Sequence, residues 1–439
     1  LILNNQTEIR FNELTANGTN YIGLKAPASL SSDLTYTLPT APASNNRALI
    51  SSTAGVMSYT PYSFPSSDGT ANQLLKTDGS GALSFTTVSS ATGFRNIIIN
   101  GDMQVAQRNT SVASITTTGY YTLDRFRTAI SSFGTWTQSQ STDVPSGYGF
   151  SSSLKMDCTT ANATPSASSS LRIETRFEGS NLQYLKKGTA NALSLTLSFW
   201  VKSTKTGTFI AELFDDDNSR TISKSYTVSV SNTWEFKTVT FAGDTTGAFN
   251  NTNDLSLILY FWLGAGTDFT SGTLQTTWAT QTNVNRAVGQ VNIADSTVND
   301  FLITGVQLEA GTSATDFEFL PIDVSLDRCL RYYEELGVAS FAKANNTTSY
   351  WTSFNFRKRK RGNPTASLLT QSFSIAEWGI ATVTTTSGTI VNSYLTNNDA
   401  VYVQLGGFTG VTTGNMGTPL NSFAESNGLR PFVAFNSEL

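Results

Sequence analysis

Hydrophobic residues along this chain recur at every second position in short runs separated by Ser, Thr, Asn and Gly, a period that marks strands with one buried face. In residues 193–202, Leu195, Leu197, Phe199 and Val201 share one face, and Ser194, Thr196, Ser198, Trp200 and Lys202 share the other. Comparable runs over 171–178, 209–214, 233–241 and 300–309 predict further strands. The run 255–263 is apolar on both faces, which predicts a central strand covered on both sides. So many strands with turn signals between them predict a two-sheet sandwich or jelly roll. Near Pro321 the period changes: Leu326, Leu330 and Tyr333 within 323–335 fall at helical spacing, predicting a short helix that ends before Gly337. Beyond it, runs over 350–361, 382–391, 399–406 and 429–435 predict a compact β domain.

The first 93 residues have a different texture, with shorter alternating runs such as 7–14 and 20–25 and the turn signals Asn17-Gly18, Asp68-Gly69 and Asp78-Gly79. Residues 35–60 and 61–86 align without a gap at an offset of 26: Tyr36 falls on Tyr62, Pro39 on Pro65, Asn46 on Asn72, Leu49 on Leu75, Gly55 on Gly81 and Ser58 on Ser84. A fixed period of this length marks repeated supersecondary units. Each unit is too short and polar to bury a core alone, because ordering its backbone costs ~1–2 kcal/mol per residue. Other copies of the same chain are the simplest source of the apolar partner, and the repeat reads as a stalk. The fold class expected is therefore all-β: a repetitive β stalk, a jelly-roll sandwich and a sandwich-like C-terminal tip.

Composition narrows the chemistry. Only 14% of the residues are charged and the net charge is −4, so nothing global points to a nucleic-acid partner. The chain has no His, which removes Ser–His–Asp and Cys–His catalysis and His-ligated zinc. Cys158 and Cys329 lie far apart and form no C-x-x-C unit; two reduced, buried thiols are expected, with assembly in a reducing compartment. The longest apolar run, 255–263, is short of the ~20 residues that span a bilayer, so no membrane insertion is expected. No charged-then-apolar leader opens the chain, and its start at Leu1 rather than Met suggests an upstream segment.

Several motifs carry a resemblance. They are Phe94-Arg95-Asn96-Ile97-Ile98-Ile99-Asn100-Gly101-Asp102-Met103-Gln104-Val105 with Gln107-Arg108, then Thr122-Leu123-Asp124-Arg125-Phe126, and the closing strand Gly305-Val306-Gln307-Leu308-Glu309-Ala310-Gly311. Cys329-Leu330-Arg331-Tyr332-Tyr333-Glu334, the stretch Tyr21-Ile22-Gly23-Leu24-Lys25-Ala26-Pro27, and Phe435-Asn436-Ser437-Glu438-Leu439 belong to the same set. In combination the chain resembles tail-fibre proteins of tailed bacteriophages, those of marine phages in particular. The resemblance implies a homotrimeric host-recognition fibre, made and assembled in the host cytoplasm and carried on the virion. Its parts would be a trimeric β stalk over 1–93, a carbohydrate-binding-like jelly roll over 94–320, a helical connector over 321–337 and a β tip over 338–439. Implied partners are a bacterial surface polysaccharide or lipopolysaccharide, and other phage tail proteins through the upstream segment.

Glycan binding needs flat apolar faces ringed by a few polar groups that fix orientation. Trp278 sits in the polar stretch 264–286, with Asp268 before it and Arg286 after it, and is either a binding platform or a packing residue at a subunit interface. Trp200, on the polar face of its strand, is the second carbohydrate-binding candidate; Tyr260, Trp262 and Trp234 are expected in the core. Asp215-Asp216-Asp217 with Asn218 resembles a calcium-binding turn, making Asp215 and Asp217 candidate ligands of a structural calcium. The full loop with its Gly and closing Glu is absent, and a solvated acidic turn is the alternative. No other cofactor is expected. Arg357, Lys358, Arg359, Lys360 and Arg361 form a cationic run that continues the strand Phe354-Asn355-Phe356, either guarding a sheet edge or presenting charge to phosphate or acidic sugars. Glu309, Asp316 and Glu318 are the carboxylates to weigh for glycoside cleavage, which needs two of them facing across a cleft. The expectation is a non-catalytic adsorption protein; a polysaccharide-degrading tail protein and a connector that binds another virion protein are the alternatives.

Overall fold

A computed structural model of the chain describes residues 9–14, 16, 18–24, 35, 37, 46–52, 56–69, 73–87, 95–337, 342–370, 373–377, 382–395, 398–409, 411, 413–420, 424–425, 428–429 and 433–439. Tyr36, Pro39, Gly55 and Asn72 of the repeat, Asn17 of the first turn signal, and Phe94 lie outside the described residues. The chain divides into two compact units, Leu1–Ser90 and Ala91–Leu439.

The first unit is built of antiparallel two-stranded hairpins: β1 (Ile9–Asn12) with β2 (Tyr21–Leu24), β3 (Leu49–Ser51) with β4 (Met57–Tyr59), and β5 (Gln73–Thr77) with β6 (Leu83–Thr87). The offset of the sequence repeat persists in the hydrogen-bond register. Leu49 pairs with Tyr59 and Leu75 with Phe85; Ser51 pairs with Met57 and Thr77 with Leu83. Parallel bridges Thr37–Val56 and Ser63–Ala82 obey the same offset, and Met57 N donates to Thr37 O at 3.1 Å as Leu83 N donates to Ser63 O at 2.9 Å. At the β5–β6 turn, Asp78 Oδ1 accepts from the Ser80 and Ala82 amides at 2.8 and 2.9 Å, and these backbone bonds hold its carboxyl below the usual range. Gly79 adopts φ +76° there, a left-handed conformation that favours glycine.

The second unit opens with a β-sandwich of jelly-roll type. Its strands are β7 (Ser111–Ile115), β8 (Arg127–Ser131), β9 (Thr135–Ser141), β10 (Ser153–Thr160), β11 (Ser170–Glu178), β12 (Leu195–Ser203), β13 (Gly207–Asp215), β14 (Arg220–Val228), β15 (Glu235–Phe241), β16 (Leu255–Ala265), β17 (Ala279–Thr280) and β18 (Asp300–Ala310). One six-stranded sheet runs β15-β12-β18-β10-β9-β7 and the other β17-β14-β13-β16-β11-β8, with antiparallel pairing throughout. The alternation anticipated in β12 sends Leu195, Leu197, Phe199 and Val201 into the core against Leu257, Leu259 and Phe261 of β16. The other face of β16 is also covered: Ile258, Tyr260 and Trp262 form a second cluster with Ile210 and Ala287. β16 is thus a central strand with both faces buried, as its continuous apolar run anticipated.

Three expectations are corrected. Trp234 is half-buried outside the core and donates its Nε1–H to Asp143 at 2.9 Å, because it precedes β15 at the sheet edge. The helix spans Ile322–Leu330, stopping short of 335, and Tyr333–Leu336 is instead a strand paired with Val433–Asn436. The strand at 350–361 ends at Asn355. Glu334 draws the following chain out of the sheet: its carboxylate accepts from the Arg357 amide at 3.2 Å and lies 2.7 Å from Lys360 Nζ.

The helix leads into a further β region, with its own core including Tyr350, Phe354, Val403, Leu405 and Phe435. Among the described residues a seven-stranded antiparallel sheet and the three-stranded sheet Tyr333–Leu336, Val433–Asn436, Thr365–Leu368 carry this core. Residues 437–439 leave that sheet and pack on the sandwich. Glu438 pairs with Arg125 and, at 3.2 Å, with Arg108, while Arg176 Nη1 donates to Leu439 O at 2.7 Å. Both cysteines are free and buried, and burial pushes the Cys158 thiol up to about 11. Among the described residues, no helix is long and apolar enough to cross a membrane.

Candidate functional site

The outer face of the first sheet carries an aromatic platform. Trp200 projects from β12 opposite to the core set, and a register shift between Ser198 and Trp200 places it against Thr304 of β18. Its ring centroid lies 4.3 Å from that of Tyr148 and 5.4 Å from that of Phe236, its partner on β15. Trp200 is half-buried, while Tyr148 is 56% and Phe236 49% exposed. Exposure this large for two aromatics in contact with a tryptophan leaves an apolar surface open to a ligand, its flanking rings tilted 48° and 51° to the indole. At the adjoining position Lys202 Nζ lies 2.7 Å from Asp143 Oδ2, and Asp143 Oδ1 accepts from Trp234 Nε1. Burial opposes ionisation of Asp143, but the Lys202 ammonium and the Trp234 indole together hold its carboxyl below the ordinary range. The platform therefore has an ionised, oriented polar edge.

A second aromatic group follows directly in sequence. Phe150, Phe317 and Phe319 lie within 5.1 Å of one another, centroid to centroid. Phe150 sits over Gly305, where a Cβ would come within 2.6 Å of its ring. The strap over 311–320 is tied down by carboxylates: Glu309 accepts from Thr315 N and Oγ1, both at 2.8 Å, and Glu318 accepts from the Asn96 amide at 2.8 Å. Two of the carboxylates weighed for hydrolysis are thus engaged in bonds that join the strap to β18 and to Asn96, and Asp316 offers its carbonyl to Arg95 Nη2 at 3.3 Å.

The remaining candidates fall elsewhere. Trp278 is half-buried against the sandwich core, donates Nε1–H to Ala242 O at 2.7 Å, and lies under Lys187 Nζ at 5.5 Å from its ring centroid. Lys187 is held by Asp215 and, at 3.1 Å, by Asp244, so the fold joins Trp278 and Asp215 through one ammonium. Asp217 accepts from the Asn250 amide at 3.0 Å. Among the described residues no group of three or more His, Cys, Asp or Glu side chains is placed to hold a metal ion. Arg286 is buried with its Nε 2.8 Å from Glu212 Oε1, and Trp262 Nε1 donates to Glu212 Oε2 at 2.7 Å. Asp268 is exposed in the helical turn Thr267–Thr270, and among the described residues no contact joins it or Arg286 to Trp278.

The cationic run is divided between environments. Lys360 is fully buried against Glu334 and the Leu330 carbonyl, and burial lowers its pKa. Arg361 donates to Ser437 O and Asn253 O, both at 2.9 Å. Arg357, Lys358 and Arg359 are exposed, with Lys358 Nζ 2.5 Å from Asp327. Sequence reasoning missed Tyr148, Phe236 and Asp143. The available signals were an aromatic between two glycines, Gly147-Tyr148-Gly149, and an apolar residue on the same face as Thr238 and Thr240.

No protein-family model matches the chain, and no curated protein matches it. Among solved structures, the enzymatically active domain of bacteriophage CBA120 tailspike protein 4 aligns at 16% identity over 49% of this chain, with a TM-score of 0.27, and only 21% of that chain is covered. A CBM4 structure aligns at 11% identity over 48% of this chain and 97% of its own, with a TM-score of 0.24. The CBM22-1–CBM22-2 tandem of Paenibacillus barcinonensis Xyn10C aligns at 9% identity over 80% of this chain and 97% of its own, with a TM-score of 0.25. Likeness at this level carries no inference for this chain.

Proposed function

We propose that the chain is part of a phage tail fibre that attaches to a bacterium by binding a surface glycan, without cleaving it, and needs no cofactor to do so. The observation that carries the reading is the platform of Trp200, Tyr148 and Phe236 with the Asp143–Lys202 pair at its edge. Sugar C–H groups stack on aromatic faces, and a fixed charge pair beside them orients the hydroxyls. The sequence motifs that resemble tail fibres agree with that role. Homotrimerisation belongs to the same reading, supported by the exposed leucines of the repeated hairpins. A single site of millimolar affinity supplies only ~4 kcal/mol; three linked sites and several fibres raise avidity by ~10²–10⁴.

Replacing Trp200 by Ala is the direct test. Adsorption to host cells and binding to purified surface polysaccharide should fall at least about tenfold while circular dichroism stays unchanged. Undiminished binding would remove the platform, and oligosaccharide release from host polysaccharide would overturn the non-catalytic part.

A further inference from the structure

A cavity of about 420 Å³ opens between the sandwich and the helix Ile322–Leu330. That volume suits a monosaccharide-sized ligand. Five cationic side chains line it, Arg125, Arg176, Arg328, Arg331 and Lys358, against the carboxylates of Glu178 and Asp327. Arg125 and Arg176 also pair outside the lining, with Glu438 and with Glu174. Glu178 receives Arg331 Nε at 2.8 Å and Nη2 at 2.6 Å, and this bidentate contact fixes the guanidinium plane while leaving Nη1 outside the pair.

The second observation is Arg125. It is 1% exposed, and its buried Nε has no hydrogen-bond partner among the described residues. Its other guanidinium nitrogens are held by Glu438 and the Arg176 carbonyl, and its Cζ lies 3.5 Å from the Tyr332 ring centroid, so its positive charge is fixed at the wall of the cavity, where it favours an anion. Tyr184, 48% exposed, presents its ring among the lining residues and supplies an apolar face beside the charge.

We propose that this cavity binds an anionic sugar, its carboxylate or phosphate held by the arginine cluster and its ring set against Tyr184. The site is separate from the Trp200 platform and does not depend on it. Burial lowers the Arg328 pKa, which a bound anion would offset.

Calorimetric titration of the full chain at low ionic strength with glucuronate, glucose 6-phosphate and glucose tests the proposal. Saturable binding of at least one anion is expected, with none for glucose. Glucuronate alone would identify a carboxylate sugar, glucose 6-phosphate alone a phosphorylated one, and both a site that reads charge. Arg328→Gln should weaken the anion at least tenfold. The doubly substituted rim variant Tyr184→Ala/Lys358→Ala, which alters exposed side chains, should weaken it at least threefold and serves if Arg328→Gln does not fold. Trp200→Ala should leave anion binding intact, so loss of the platform and loss of the cavity are distinguishable. Absence of anion binding, equal binding of glucose, or unchanged affinity in the rim variant would overturn the assignment.

Discussion

The β5–β6 hairpin and the β12–β18 pair are both antiparallel strand pairs carrying leucines but reach opposite burial. Leu74 and Leu75 are 59% and 47% exposed, whereas Leu195, Leu197, Phe199 and Val201 of β12 are buried beneath a second sheet. An isolated two-stranded hairpin is marginally stable in water. The period of a strand thus specifies which side chains share a face, and the presence of a second layer decides whether that face is dry. In the repeated unit the second layer has to come from another chain, or the leucines remain wet.

The two units are held together by different contacts, so different substitutions should loosen each. Arg125→Ala would leave Glu438 buried with Arg108 as its remaining arginine partner. Removing one member of a buried pair costs about 3–5 kcal/mol, so the urea midpoint of the second unit should fall strongly. The registry of the repeated hairpins should not respond.

Leu49→Ser combined with Leu75→Ser should act the other way. Loss of apolar surface at ~25 cal/mol per Å² at each position, repeated in three chains, should convert trimer to monomer in sedimentation analysis. The near-ultraviolet circular dichroism of the sandwich should stay unchanged. A monomeric unsubstituted chain would remove the trimer reading altogether.

Asp124 offers a pH-dependent probe confined to the second unit. Burial raises its carboxyl to about 6, against the opposing Arg108 charge and the Gln107 hydrogen bonds. The sign follows: the folded protein keeps a proton that the unfolded chain gives up near its ordinary value, so this contribution is fully present below about 4 and is lost as pH rises through about 6. Asp124→Asn should flatten the wild-type decline between those pH values, by up to about 3 kcal/mol, measured as urea stability against pH. A parallel profile for variant and wild type would contradict it.

The smallest effect is expected at the exposed part of the cationic run. Lys358 and Asp327 form a surface pair with half-exposed side chains, worth no more than about 1 kcal/mol. Lys358→Ala should shift the melting temperature by a degree or two at most, whereas Lys360→Ala, at the buried Glu334, should cost several times more. Equal shifts would mean that the run behaves as one surface.

Much of the fold was legible in the chain. The 26-residue repeat reappears in the hydrogen-bond register, because residues related by the offset, such as Leu49 and Leu75, occupy equivalent ladder positions. Strong alternation located β12, and a continuous apolar run located β16. The site was less legible. Trp200 stood out on a polar face, but Tyr148 comes from a loop more than fifty residues away and Phe236 from the neighbouring strand. Nothing in the local pattern of either names its partner. The cationic run misled for a related reason, since five like charges in sequence say nothing of the one carboxylate, Glu334, that buries the fourth.

By itself the sequence determined that the chain is predominantly β with a short helix near residue 325, where its alternating faces lie, that its first unit repeats, and that histidine chemistry is absent. Those properties depend on neighbours in the chain and on residue type. Tertiary structure alone decided that three aromatics from separate segments form one platform and that Arg125 meets Glu438. It likewise decided that five cations gather round one cavity. Each of these is a long-range contact, set by sheet order and loop course, to which local periodicity is blind.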